Sequence, residues 1–147
     1  MQDDLIELNK AIATRAGITE EVAGSYAGFL SICLGRLALS TSDLLMLSKG
    51  KSGEANPLDV IYANRDYLMF ARMVAQSVVC AGQFAGLLIL GMNIDQARIM
   101  ARLSNAQISC LAKYADGLVY NCLSNTQKIH DFQSSSRQQF ASALIAA

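Results

Sequence analysis

Proline, tryptophan and histidine are nearly missing from this 147-residue chain, which has one Pro, no Trp and one His. With Pro57 alone as a fixed break, long helices elsewhere meet no obstacle. His130 has no cysteine or serine partner in a motif, so it reads as an exposed polar residue. The cysteines Cys33, Cys80, Cys110 and Cys122 are widely spaced and form no Cys-x-x-Cys pair. That spacing excludes the usual structural zinc site within one chain and leaves them as small buried hydrophobes in a reducing cytosol. Gly-x-Ser-x-Gly, His-Glu-x-x-His and a phosphate-binding glycine loop are all absent. Ser48-Lys49-Gly50-Lys51 lacks the upstream glycine of such a loop, and the carboxylates are scattered rather than paired. The expectation is a protein that is not an enzyme and uses no metal or cofactor. Net charge is also missing: twelve basic residues balance twelve acidic ones. A protein that holds DNA unaided needs a basic face, so any nucleic-acid role here requires a local patch or a basic partner.

Apolar residues, in contrast, make up 52% of the chain and charged ones only 16%. That balance predicts one domain with a real core rather than disorder. Abundant Ala, Leu and Met, and no sustained period of two, predict an all-α fold. The first residues, MQDDLIEL, are acidic and lack the positive start of a signal peptide, which fits a cytoplasmic setting. One run argues otherwise. From Met73 to Ile94 there are 22 uncharged residues, long enough to cross a bilayer, with Gly82-x-x-x-Gly86 inside. Gln76, Ser77, Gln83 and Asn93 interrupt it and no aromatic belt flanks it, so a buried helix explains it better.

Two echoes indicate an internal duplication. Ala23–Leu30 (AGSYAGFL) resembles Ala81–Leu88 (AGQFAGLL), and Leu39–Lys49 resembles Leu103–Lys113. Each copy then holds a long helix with an AG-aromatic-AG face, a turn, and a capped second helix. The chain divides by composition into an N-terminal helical segment (1–55), a helical core (56–123) and a polar C-terminal segment (124–147). Gly50–Pro57 is a loop between the first two, and Pro57 ends any helix before it.

The sharpest local signal is Gly91–Tyr114. Asn93 with Gln96, and Ser104 with Gln107, are two reciprocal capping pairs three residues apart. Ala97, Met100, Leu103, Ile108 and Leu111 then fall on one side of two short helices. This is the layout of a helix-turn-helix hairpin, which often presents its second helix to DNA, and which plain helical hairpins share.

From Tyr67 onward the chain resembles the FlhD subunit of the FlhD–FlhC bacterial master activators, which switch on flagellar or conjugative-transfer genes. The resemblance starts at Tyr67-Leu68-x-x-Ala71 and is densest over Leu90-Gly91-Met92-Asn93, Ala97, Leu103, Gln107-Ile108, Leu111-Ala112 and Leu118-Val119. It returns at Ile129-x-x-Phe132 and Ser136-Arg137, and covers a little over half of the chain. It implies an all-helical transcription-activator subunit that self-associates and joins a zinc-bearing FlhC-type partner. Together they would bind promoter DNA and recruit RNA polymerase. By resemblance, Ser136 and Arg137, with Lys128 adding charge, form the DNA-contacting tail. On the hairpin, Arg98, Arg102, Asn105, Ser109 and Lys113 lie off the apolar stripe as further DNA contacts. Tyr67, Leu68, Ala71, Gly82, Phe84 and Gly86 are the expected oligomer interface. The family's intersubunit-disulfide cysteine has its nearest counterpart in Cys122, displaced from the family position. Two other readings stand beside this one: a helical adaptor or chaperone that never touches DNA, and a small protein crossing a membrane once through Met73–Ile94.

Overall fold

A 24-residue helix, Leu58–Ala81, is the mast against which the other elements pack. The computed structural model describes residues 2–17, 32–47 and 53–122. Within them the elements run α1 (Gln2–Arg15), β1 (Gly35–Leu37), α2 (Thr41–Leu47), α3 (Leu58–Ala81), α4 (Ala85–Leu90), α5 (Ile94–Arg102), α6 (Asn105–Tyr114) and β2 (Tyr120–Cys122). The fold is helical, as the composition predicts, with one tiny sheet that it does not.

Helix α3 starts directly after Pro57, whose ring fixes φ at −56° and which needs no partner for a missing N–H. Its buried residues Asn64, Tyr67, Leu68, Ala71, Val74, Ala75 and Val78 recur every three or four positions, so they line one face. Each large side chain buried there stabilises the fold by about 1.5–3 kcal/mol. The helix stops at Gly82, whose φ of +67° is left-handed; Gln83 N–H then bonds back to the Ser77 carbonyl at 3.2 Å. A second left-handed glycine, Gly91, ends α4. The uncharged run Met73–Ile94 is therefore broken twice. Among the described residues no helix is long and apolar enough to cross a membrane, which removes the single-span reading. The breaks also correct the duplicated AG-aromatic-AG helix face: Gly82 and Gly86 sit on opposite sides of a turn, not on one helix. Its proposed counterpart, Ala23–Leu30, lies outside the described residues.

A different repeat is present. Asn9 and Asn64 are the two buried polar residues of the described chain, one on α1 and one on α3. The Asn9 amide donates to the Ile32 carbonyl at 2.9 Å, and its oxygen accepts from Leu34 N–H at 2.7 Å. The Asn64 amide donates to the Gly117 carbonyl at 2.9 Å, and its oxygen accepts from Val119 N–H at 2.9 Å. In each case asparagine brackets two backbone groups two residues apart, and a strand begins at the next residue. Those strands pair antiparallel, Gly35 with Cys122, Arg36 with Asn121 and Leu37 with Tyr120. Exchanging the two halves leaves this register unchanged, so a local pseudo-twofold axis passes between Arg36 and Asn121. The match extends along the helices: Ile12 and Tyr67 follow their asparagines by three residues and both pack against Gly35.

One hydrophobic cluster joins both halves, from Leu5, Leu8 and Ile12 through Leu34 and Leu44 to Leu68, Met100 and Leu111. Residues of the compositional segments 1–55 and 56–123 thus share a core. The strands escaped the sequence reading because three residues are too short for a period of two to show.

Candidate functional site

The helix pair α5–α6 forms as its sequence requires. Asn93 Oδ1 accepts from Gln96 N–H at 2.8 Å, and Gln96 Oε1 accepts from Asn93 N–H at 3.1 Å. Ser104 Oγ accepts from Gln107 N–H at 3.1 Å, and Gln107 Oε1 accepts from Ser104 N–H at 2.8 Å. These two capping boxes satisfy N–H groups that each helix start would otherwise leave open. Ala97, Met100, Leu103, Ile108 and Leu111 are all buried, and the stripe they form seats the pair on α3. Helix α2 packs against both members of the pair. It opens with a related device: Ser40 Oγ accepts from Asp43 N–H at 3.1 Å, and Asp43 Oδ2 accepts from Ser40 N–H at 3.2 Å. The echo between Leu39–Lys49 and Leu103–Lys113 is therefore a shared cap followed by a buried residue, Leu44 or Ile108.

Two residues of α3 hold the turn of the pair from below. Arg72 donates through Nη1 to the Leu103 carbonyl at 3.1 Å and through Nη2 to Asn105 Oδ1 at 2.8 Å. Gln76 donates to the Ala101 carbonyl at 3.3 Å. From the far end, Asn64 donates to the Ala112 carbonyl at 3.1 Å, and Asn56 donates to the Ala115 carbonyl at 2.6 Å. Carbonyls at the end of α6, which the helix cannot pair internally, are thereby satisfied. The hairpin is clamped at both ends.

Arg98 and Arg102 come together on the outer side of α5. With Leu45, Ile99, Leu103 and Gln107 they line a notch of about 190 Å³ between α2 and the hairpin. Arg98 also meets Asp95 at 3.5 Å, an exposed pair worth at most about 1 kcal/mol. Asn105 lies at the turn with its oxygen engaged by Arg72. Ser109 is exposed midway along α6, and Lys113 is exposed near its end, 5.6 Å from the Tyr114 ring centre. Lys128, Ser136 and Arg137 lie outside the described residues.

The residues expected at an oligomer interface divide differently. Tyr67, Leu68 and Ala71 are wholly buried inside this chain, so they are core and not a surface. Gly86 is buried because α4 crosses α3 closely: a Cβ there would lie 2.7 Å from Val78 Cγ2 and 2.8 Å from Val74 Cγ1. Close helix approach occurs at Gly86 alone, not across the Gly82–Gly86 pair, and it lies within the chain. Gly82 is a helix cap with open space around it, and of these six residues only Phe84 presents a large apolar side chain to solvent, at 56% exposure.

All four cysteines are free thiols. Burial pushes Cys33 up to about 11 and also raises Cys122, so in both the protonated thiol is favoured. Cys122 sits in β2 opposite Gly35 of the same chain. Among the described residues no three His, Cys, Asp or Glu side chains are grouped to hold a metal. The sequence reading missed Arg72, Asn56 and the two buried asparagines. A signal did exist for the last two, since Ile6-x-x-Asn9-Lys10 and Ile61-x-x-Asn64-Arg65 share a pattern. Compared with known proteins, the chain matches no protein-family profile, no curated protein and no solved structure.

Proposed function

We propose that this chain is a non-enzymatic transcription-activator subunit of the FlhD type. It acts in the bacterial cytoplasm, joins a zinc-bearing FlhC-type partner, binds promoter DNA with it and recruits RNA polymerase. The observation that supports this reading is the clamped, doubly capped hairpin with Arg98 and Arg102 on its open side. A rigid hairpin of this kind can offer a helix to a DNA groove while the arginines meet phosphate. Lys113 adds a cation toward the end of α6, Asn105 and Ser109 offer polar contacts, and Lys128, Ser136 and Arg137 belong to the proposed contacting tail. Zero net charge fits a subunit whose partner supplies most of the DNA affinity.

The test is binding of a promoter fragment by the protein co-purified with its partner, followed by fluorescence anisotropy across a salt series. Removing each phosphate-contacting arginine, Arg98→Ala or Arg102→Ala, should lower the slope of log affinity against log salt by about one. An unchanged slope in the double variant would remove the hairpin from the DNA interface. Association with a partner but no retention of DNA would favour the adaptor reading instead.

A further inference from the structure

An open groove of about 540 Å³ lies between α1 and α3. Its floor is apolar, with Phe70 buried and Met69 and Met73 exposed at 43% and 38%. Its rim is acidic: Asp4 and Glu7 come from α1 and Asp66 from α3. Arg72 is the one cation among the lining residues, and both its terminal nitrogens bond to the α5–α6 turn. Lys10 shares the Glu7 carboxylate at 3.3 Å, but from the exposed outer side of α1. An apolar floor between carboxylate rims suits one kind of occupant.

We infer that this groove receives a basic amphipathic helix from a partner protein. The apolar face of such a helix would lie on Met69, Met73 and Phe70, where flexible methionine side chains adapt to the shape they meet. Its lysines or arginines would lie against Asp4, Glu7 and Asp66. A second copy of this chain is a poor occupant, because a twofold contact through the groove would set each acidic rim against its own copy. The occupant would also lie beside Arg72 and Gln76, the two side chains that hold the hairpin turn. Docking there would brace the turn. The inference rests on the reading that the chain works beside a partner, and it does not depend on DNA contact.

The experiment is an amide-resonance titration of the full-length, isotope-labelled protein with two probes. The first is a synthetic helical peptide of leucine and lysine at amphipathic spacing, with a leucine–glutamate peptide as control. Shifts confined to residues 4–11 of α1 and 66–76 of α3, seen with the lysine peptide alone, are the expected result. Asp66→Lys should weaken that binding roughly three- to tenfold. Met73→Ser should weaken it too, while the resonances of the capped hairpin stay in place as proof of folding. Equal response to the glutamate peptide, shifts elsewhere, or groove shifts that follow protein concentration alone would overturn the inference. The last of these would assign the groove to a second copy. The second probe is a promoter duplex of about two helical turns, added to the protein co-purified with its partner: lack of response around Arg98 and Arg102 there counts against the DNA reading and leaves the peptide result unaffected.

Discussion

The two arms about the Arg36–Asn121 axis use the same tie for different loads. In the first arm Asn9 reaches a strand 25 residues further on. In the second, Asn64 reaches its strand across 55 residues, and the excursion between them builds α4, α5 and α6. Asn64 also donates to the Ala112 carbonyl at the end of α6, a bond for which Asn9 has no equivalent among the described residues. The candidate site is thus an insertion carried by one half of a near-symmetric frame. Asn64 is the side chain that ties that insertion and the frame's own strand together. The difference teaches that the frame and the site are separable in sequence but coupled in structure.

Breaking that tie should give the largest effect. Asn64→Ala orphans the Val119 N–H and leaves the Ala112 and Gly117 carbonyls only their longer bonds from Asn56, at 3.2 and 3.5 Å. At about 1–3 kcal/mol for the buried N–H left unpaired, with both carbonyl bonds weakened as well, a loss of about 2–4 kcal/mol is expected in chemical denaturation. Asn9→Ala orphans one carbonyl and one N–H and should lose about 2–3 kcal/mol. Equal losses would mean that the second arm carries no extra load.

Next in size is the crossing of α4 over α3, which the first arm lacks among the described residues. Gly86→Ala places a methyl against the stiff side chains of Val74 and Val78 and should destabilise by about 1–3 kcal/mol. Adding Val78→Ala should recover part of the loss. The mass in solution should not change with either variant, because the contact lies within one chain; light scattering on the purified proteins would show it.

The caps allow a finer comparison. Ser104→Ala removes the α6 cap and Ser40→Ala the α2 cap, each worth about 1 kcal/mol. Hydrogen exchange should separate them. The Ser104 change should speed exchange at the start of α6 while leaving α2 protected, and the Ser40 change should do the reverse.

The smallest effect concerns the contact between the arms at Arg15 and Asp59, 2.8 Å apart. Hydrogen bonding from Arg15 holds the Asp59 carboxyl below its ordinary value of 3.8. The unfolded chain then takes up a proton more readily than the folded one as the pH falls. Stability from this pair is complete above about pH 4 and is lost as the pH drops through the lower, folded value. Because the carboxylate is exposed the loss is slight, and Arg15→Ala should flatten that part of the acid unfolding profile.

The capping boxes were legible because they are local: Asn93 and Gln96, or Ser104 and Gln107, need only three residues between them and a helix to follow. The apolar stripe of the hairpin was legible for the same reason. Pro57 was legible as a break, but the start of α3 directly after it was not: Tyr67, which reads as a helix start by resemblance, lies in the middle of that helix. Arg72 was not legible, because in sequence it merely borders an uncharged run, while its partners at Leu103 and Asn105 lie 31 and 33 residues away. Gly86 was half legible, since small residues announce a close approach without naming the helix that approaches.

By itself, then, the sequence determined the helical class, the hairpin with both of its caps, and the lack of any recognisable catalytic motif. Periodicity and capping are short-range properties that survive in a linear string. Tertiary structure alone decided that Tyr67, Leu68 and Ala71 are core, that two three-residue strands pair about an axis, and that an uncharged run folds back on itself at Gly82 and Gly91. Those outcomes depend on which distant backbone groups meet. A buried asparagine finds its N–H and carbonyl partners only after the chain has closed around it.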